Sequence, residues 1–327
     1  MADQLSHPIS IIAMHIPNLD TFGLSRTKGF LSNDPPLLQF SDSYYSRWDE
    51  LIERLPDLIS SRKLSDEIKN LPVLSICKLS TELDFQRAYV VLAFLVHGYV
   101  WGSSQDGKPT ETIPPQLSEP FLATCENLGM QPVLSYAGLC LWNWGAKQDV
   151  KTNLEGPFYE LEQLKSIGTF TRTRGEDAFY HVPVLIEAEG GPLVSLLLDA
   201  VAAAQKENIA FVTDVLNRSA DIFVSMALHM PKLYSTLDAH MFFHEIRPFI
   251  SGGKGMEEKG LARGMVFQRS DGSETPAKCV GGSAVQSSLF HFLDYVLGVE
   301  HQGPGGGKES VFEVSFTEFA CSTRPFE

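Results

Sequence analysis

A chain of 327 residues, 43% hydrophobic and 20% charged, can bury a large core, which excludes general disorder and leaves room for two domains. A net charge of −14 with no run of lysine or arginine argues against nucleic acid and anionic membrane surfaces as partners. The five cysteines (Cys77, Cys125, Cys140, Cys279 and Cys321) are odd in number, widely spaced and form no CxxC, the pattern of a reduced, cytoplasmic protein.

Residues 1–43 are rich in Pro, Ser and Asn and predict an irregular leader across the surface; Pro8 and Pro17 bracket its short apolar run, so it is no signal peptide. Tyr44, Tyr45, Trp48, Leu51, Ile52, Leu55 and Leu58 recur at three and four, predicting an amphipathic helix that Pro56 bends or ends. A short helix over 64–71 follows. Ser80 or Thr81 can cap a helix over 82–101 that is apolar almost all round beyond Ala88, as a central core helix should be. Its apolar run is interrupted by His97 and Gly98 and is too short to span a bilayer. The loop after it divides the chain into a small N-terminal helical domain (1–102), a linker (103–116) and a larger helical domain (117–300), followed by a divergent, poorly ordered tail (301–327).

Within the larger part, helices are predicted over 117–128 and 133–143, then a polar connection and a short helix over 156–168. Residues 178–188 form a helix kinked by Pro183, and Pro192 opens the next, running to Lys206. Asn208 caps a helix to His229, and Leu237 to Ile250 form another. Residues 252–280 make a long loop with a short hairpin, and 283–297 a final helix. Strand signals are weak and no repeat is visible, so the fold class is all-α.

Two stretches carry chemistry. In Met241 to Gly253, Arg247 lies on the inner half of an apolar helix; a buried guanidinium needs an anion, either a side chain or a ligand carboxylate. In Gly281 to Ser288, two glycines and small hydroxyl residues open an apolar helix, which is either an ordinary start capped by Ser283 or a turn that lets a ligand approach backbone N–H groups. His240 and His244 share a helix face at i, i+4, but HExxH is absent and no third ligand is evident. Neither a phosphate-binding glycine motif nor a GxSxG elbow occurs.

These stretches, with Ala93–Trp101, Pro132–Trp144, Phe179–Tyr180 and Ile186–Glu187, resemble the indoleamine 2,3-dioxygenase family in its fungal form, in the family's order, from about residue 10 to about residue 300. The resemblance implies an all-α fold with a small N-terminal domain over a large one that holds haem b. The implied reaction inserts both atoms of O₂ across the indole C2–C3 bond of tryptophan, giving N-formylkynurenine in tryptophan catabolism (the kynurenine pathway), by a cytoplasmic monomer. Its alternative is a truncated or repurposed haem-free member that binds an indole or amino acid, inactive as a dioxygenase or acting in secondary metabolism. By resemblance, Arg247 clamps the substrate carboxylate and Phe242 packs on the indole, while Tyr136, Leu139, Cys140, Phe179 and Ile250 line the pocket. Gly282, Ser283 and Ala284 meet the substrate amine and the haem edge, with Ser251 beside them.

Pro183 replaces a pocket serine of the family, and neighbouring His181 is read as a surface or core residue outside the site. The family's axial histidine is expected on a helix beyond Glu327, so the metal ligand is unassigned and the larger domain incomplete. None of His229, His240, His244, His291 or His301 matches its position; His291 is the one substitute on a suitable helix.

Overall fold

The computed structural model of the chain describes residues 16–102, 108–147 and 160–299. Helix α1 (Ser46–Ser60) buries Trp48, Leu51, Ile52, Leu55 and Leu58, the predicted stripe. Pro56 sits inside it and does not end it. Helix α2 (Leu64–Lys69) tucks Leu64 and Ile68 beneath. Helix α3 (Glu82–Gly102) is buried on every side from Ala88 to Val100. Its start is fixed from both directions. Thr81 Oγ1 accepts the Asp84 N–H at 3.1 Å, and Asp84 Oδ2 accepts the Thr81 N–H at 2.9 Å.

Helix α4 (Pro115–Leu128) ends at Gly129 in the left-handed conformation, where L side chains are strained. Helix α5 (Arg174–Ala204) is one continuous element of 31 residues, not the two helices expected. The sequence Gly190-Gly191-Pro192 resembles a break but serves packing instead. A Cβ on Gly191 would meet the backbone of Lys28 and Gly29, and one on Gly190 would meet Leu289 and Met226. Helix α6 (Ile209–Ala227) is capped by Asn208, whose side chain accepts the Phe211 N–H at 3.3 Å. Helices α7 (Met230–Thr236), α8 (Ala239–Met241) and α9 (Ser288–Leu297) complete the set among the described residues.

Strands are few and short, as an all-α chain allows. Strand β1 (Thr112–Ile113) lies parallel to β4 (Met265–Gln268), which pairs antiparallel with β5 (Glu274–Ala277), the hairpin expected in 252–280. Strand β2 (Trp144–Ala146) pairs with β3 (Leu164–Ser166). Residues 160–166 therefore form a 3₁₀ turn and a strand where a helix was predicted, while 156–159 and the 301–327 tail lie outside the described residues. Buried Asn143 explains the extended path. Its Oδ1 accepts the N–H groups of Ile167 and Gly168 at 3.1 and 2.7 Å, and its Nδ2 donates to the Gly168 carbonyl at 3.1 Å.

Two apolar cores result. The first joins α1, α2, α3 and α4 to Phe267 and draws on both sides of the 103–116 connection. The second gathers Leu193, Val194 and Leu197 of α5 with Val215 and Met226 of α6 and Leu289 and Leu293 of α9. Inside the first, Phe94, Phe170 and Phe249 stack at centroid distances of 4.8 and 4.7 Å.

His97 is the polar tie in that core. Its Nε2 lies 2.9 Å from the Leu134 nitrogen, which can only donate, so Nε2 accepts. The ring proton must then be on Nδ1, which donates to the Phe249 carbonyl at 2.7 Å. Burial holds His97 neutral, its pKa lowered to about 4 against a small opposing effect of the Phe249 bond. His181, bonded to Ser166, is likewise lowered to about 4, mainly by burial.

Both histidines are neutral in the folded chain between about pH 4 and 6.5, where the unfolded chain protonates them. Stability is therefore lost as pH falls through that window, by about 3 kcal/mol for each group. Urea unfolding at steps from pH 7 to 4 will show this slope. His97→Gln will flatten it by about half, while lowering stability throughout by about 1–3 kcal/mol.

Candidate active site

The two segments expected to line a pocket are both π turns, not the longer α-helices predicted over 133–143 and 237–250. One spans Ala137–Leu141, closed by the Trp142 N–H on the Ala137 carbonyl at 2.9 Å. The other spans Phe242–Ile246, closed by the Arg247 N–H on the Phe242 carbonyl at 2.8 Å. The second is entered through α8, whose cap Asp238 accepts the Met241 N–H, and Pro248 ends it because it has no N–H to donate. Each turn holds one more residue than an α-turn, and such turns concentrate at functional sites.

Arg247 and Phe242 thus stand one turn apart. Phe242 packs on Phe179 of α5, centroids 4.8 Å apart. Arg247 is exposed, which corrects the expectation of a buried guanidinium. Its charge lies 5.6 Å from the Phe243 ring centre, and no carboxylate pairs with it among the described residues. The anion it was expected to need is not a side chain of these residues.

Tyr136, Leu139 and Cys140, at the first turn, are all buried. Burial pushes the Tyr136 hydroxyl and the Cys140 thiol well above their ordinary pKa values, with the neighbouring Glu187 carboxylate adding to both. Neither is a nucleophile at neutral pH.

The glycine turn is bound to both segments. A Cβ on Gly281 would collide with the Ile250 carbonyl and sit 2.6 Å from the Gly252 nitrogen. One on Gly252 would collide with the Cys279 carbonyl, and one on Gly282 with Leu139. Residues 250–252 and 279–281 therefore run backbone against backbone. Gln286 completes the tie. Its Oε1 accepts the Ser283 and Tyr136 N–H groups at 3.3 and 3.1 Å, and its Nε2 donates to the Gly281 carbonyl at 3.2 Å.

Ser283 caps a 3₁₀ turn (Ala284–Gln286), and α9 begins only at Ser288, capped by Ser287; the single helix predicted over 283–297 is corrected accordingly. Ser283 and Ala284 are exposed, and Gly282 and Ile250 are buried. Ser251 Oγ donates to the Arg247 carbonyl at 3.0 Å, and the Ser251 carbonyl accepts Trp101 Nε1–H at 2.9 Å.

Contacts among the predicted residues join Gly282 to Leu139 and Ile250 to Gly281, and place Phe242 on Phe179. Sequence reasoning assigned no role to Glu187, Gln286, Ser287 or His97. Gln286, three residues after Ser283, carries the signature of a capping box. Glu187 stands out as an acid in an apolar helix.

The remaining histidines differ in what they do. His181, read as either surface or core, is a core residue. His291 Nε2 lies 2.6 Å from the Val285 carbonyl. The exposed rings of His240 and His244 lie 4.3 Å apart, and no cluster of three potential metal ligands occurs among the described residues.

Residues 18–324 match the sequence model of the family described as indoleamine 2,3-dioxygenase, past the residue 300 at which the motifs stop. The chain belongs to the indoleamine 2,3-dioxygenase family. It is 33% identical over 284 residues to an indoleamine 2,3-dioxygenase of Penicillium citrinum, covering 86% of this chain and 63% of that protein. A second such enzyme, of Aspergillus candidus, is also 33% identical, with 86% of this chain and 69% of the relative covered. A 6-hydroxytryptophan 2,3-dioxygenase of Fusarium equiseti is 34% identical, with 87% and 68% covered. The chain thus spans somewhat under two thirds of the first relative and slightly more of the other two. Among the described residues no helix is long and apolar enough to cross a membrane.

The backbone contact at the glycine turn is testable. Gly281→Ala will cost about 3 kcal/mol, because a carbonyl and a backbone nitrogen must move rather than a flexible side chain. In a chain of this size that lowers the melting midpoint by roughly 5–10 °C. Ser283→Ala, which loses only a cap, will cost about 1 kcal/mol in the same calorimetric scan.

Proposed function

We propose that the chain forms the substrate side of a haem-dependent indole dioxygenase that opens the C2–C3 bond of tryptophan or a ring-substituted tryptophan. The observation that carries this is Arg247, an exposed guanidinium with no carboxylate partner among the described residues, one turn from the Phe242–Phe179 aromatic pair. A ligand with a carboxylate on a short stem and a flat apolar ring suits that pairing. Arg247 takes the carboxylate through two parallel N–H bonds. Phe242, Phe179 and Tyr136 flank the ring, and Leu139, Cys140 and Ile250 keep water from it. The ring N–H finds no hydroxyl at Pro183, so binding leans on the carboxylate clamp and the ring's apolar area.

The family is haem-dependent. When bound, haem b supplies the iron chemistry that makes O₂ reactive toward an indole. The described residues fit a porphyrin edge: the Ser283 hydroxyl is exposed, and Val280, Val285 and Phe290 expose apolar surface. They leave the axial ligand unassigned. His97 has both ring nitrogens engaged, and His181 and His291 each use Nε2. The same reading takes the protein as a cytoplasmic monomer, with residues 1–102 as a small unit that shares α3 with the larger one; its acidity and reduced cysteine pattern support the compartment.

Recombinant chain supplied with hemin should show a Soret band, and with tryptophan, a reductant and O₂ should form N-formylkynurenine. Tryptophan should raise its melting temperature. Arg247→Ala should weaken tryptophan binding by about ten- to a hundredfold in calorimetry. Arg247→Lys should recover only part, because an ammonium cannot bind the carboxylate in parallel. If the wild-type chain shows neither tryptophan binding nor product, the reading fails.

A further inference from the structure

Glu187 of α5 is 1% exposed and lies between Tyr136 and Ser287. One of its oxygens does all the visible work. Oε1 accepts the Tyr136 O–H at 2.9 Å and the Ser287 O–H at 2.6 Å. Tyr136 belongs to the indole wall, and Ser287 is the cap of α9, accepting the Phe290 N–H at 3.3 Å. Gln286, next to Ser287, accepts the Tyr136 backbone N–H. The wall and the glycine turn are thus joined twice, once through side chains and once through backbone, in a closed ring of bonds with Glu187 as its side-chain vertex.

The second oxygen, Oε2, is buried and has no hydrogen-bond partner among the described residues. The contrast with Glu176, three turns earlier on the same helix, is direct. Glu176 spreads five accepted bonds over both oxygens, from Phe170, Thr171 (backbone and hydroxyl), Arg172 and Tyr180. That is what a carboxylate kept for stability looks like. A buried, half-satisfied carboxyl is a net cost that an apolar side chain of like volume would remove. Glu187 is therefore better explained by what it positions than by what it stabilises.

We propose that Glu187 is a positioning residue, which holds the Tyr136 wall and the 281–287 turn in mutual register so that both sides of the indole pocket move as one. This rests on the proposed function for its consequence, but not for the coupling itself. The link is made by an acceptor with two lone pairs, not by charge. A glutamine oxygen can therefore replace it, and a leucine cannot.

Hydrogen exchange on the full chain, without ligand, tests the coupling. Tyr136→Phe removes one hydroxyl outside the 283–290 segment, yet should speed exchange of amides in that segment about tenfold, the worth of one lost bond in the ring. Ser287→Ala should do the same to 134–140. Glu187→Leu should loosen both, and Glu187→Gln should restore both. Unchanged protection in the segment opposite each substitution, or a glutamine variant as loose as the leucine one, overturns the proposal. If Glu187→Leu does not fold, the two hydroxyl deletions decide the matter alone.

In the substrate arm, Glu187→Leu should raise the tryptophan KM about tenfold with a smaller change in kcat, and Glu187→Gln should rescue it. A wild-type chain that binds no tryptophan but shows the exchange coupling would sink the proposed function and leave the positioning role standing. The reverse pattern, tryptophan turnover without coupling, would sink only the latter.

Discussion

The site depends on a place where two stretches of backbone touch. Residues 250–252 and 279–281 approach so closely that a methyl group on Gly252 or Gly281 would strike a carbonyl of the other stretch. Some 30 residues of loop and hairpin separate them in sequence, so the contact closes a long loop, and its cost in chain entropy rises only slowly with length. The closure sets the Arg247 turn and the Gly282 turn side by side. Gly282 then carries the arrangement on to Leu139, and His97 ties Phe249 and Leu134 to the central helix from beneath. Each of these ties is either absent side-chain volume or a bond that only one protonation state can make.

That dependence explains which parts of the chain could be read without a structure. Helices α1, α3 and α6 carry long stripes or runs and a clear cap, and their residues go where periodicity sends them. The glycine and proline cluster at 190–192 misleads because the usual punctuation marks of a loop are here contact surfaces inside α5. The stretch 160–168 misleads for another reason. Asn143, some twenty residues away, supplies the hydrogen bonds that a helix would have supplied internally. No local signal carries that information.

The site was legible in its residue types and less so in its conformations. Arg247, Phe242, Tyr136 and Gly282 were recognisable as a set from motif order, and their segments are linked through the contacts of Gly281 with Ile250 and of Gly282 with Leu139. Their two host segments were read as α-helices because a period of 3.6 and a single π turn differ by one residue, which no short window resolves. The exposure of Arg247 could not be read either, since an apolar neighbourhood in sequence includes Phe243, which itself faces solvent. The buried acid Glu187 was visible as an anomaly, but its partners lie 51 and 100 residues away.

A π turn is an α-turn with one residue too many, and this gives the Phe242–Ile246 turn a property that no substitution would reveal. Its geometry is stored in residue count. Removing a single residue between Phe242 and Arg247 would let the segment relax into an ordinary α-helix, whose residues advance by about 100° each. The ring and the guanidinium would then stand four apart and still share a face, but everything after the deletion would be turned by about 100° against everything before it. In this protein the spacing between aromatic plate and cation is a matter of chain length, and gene changes of three bases can alter it where single-base changes cannot.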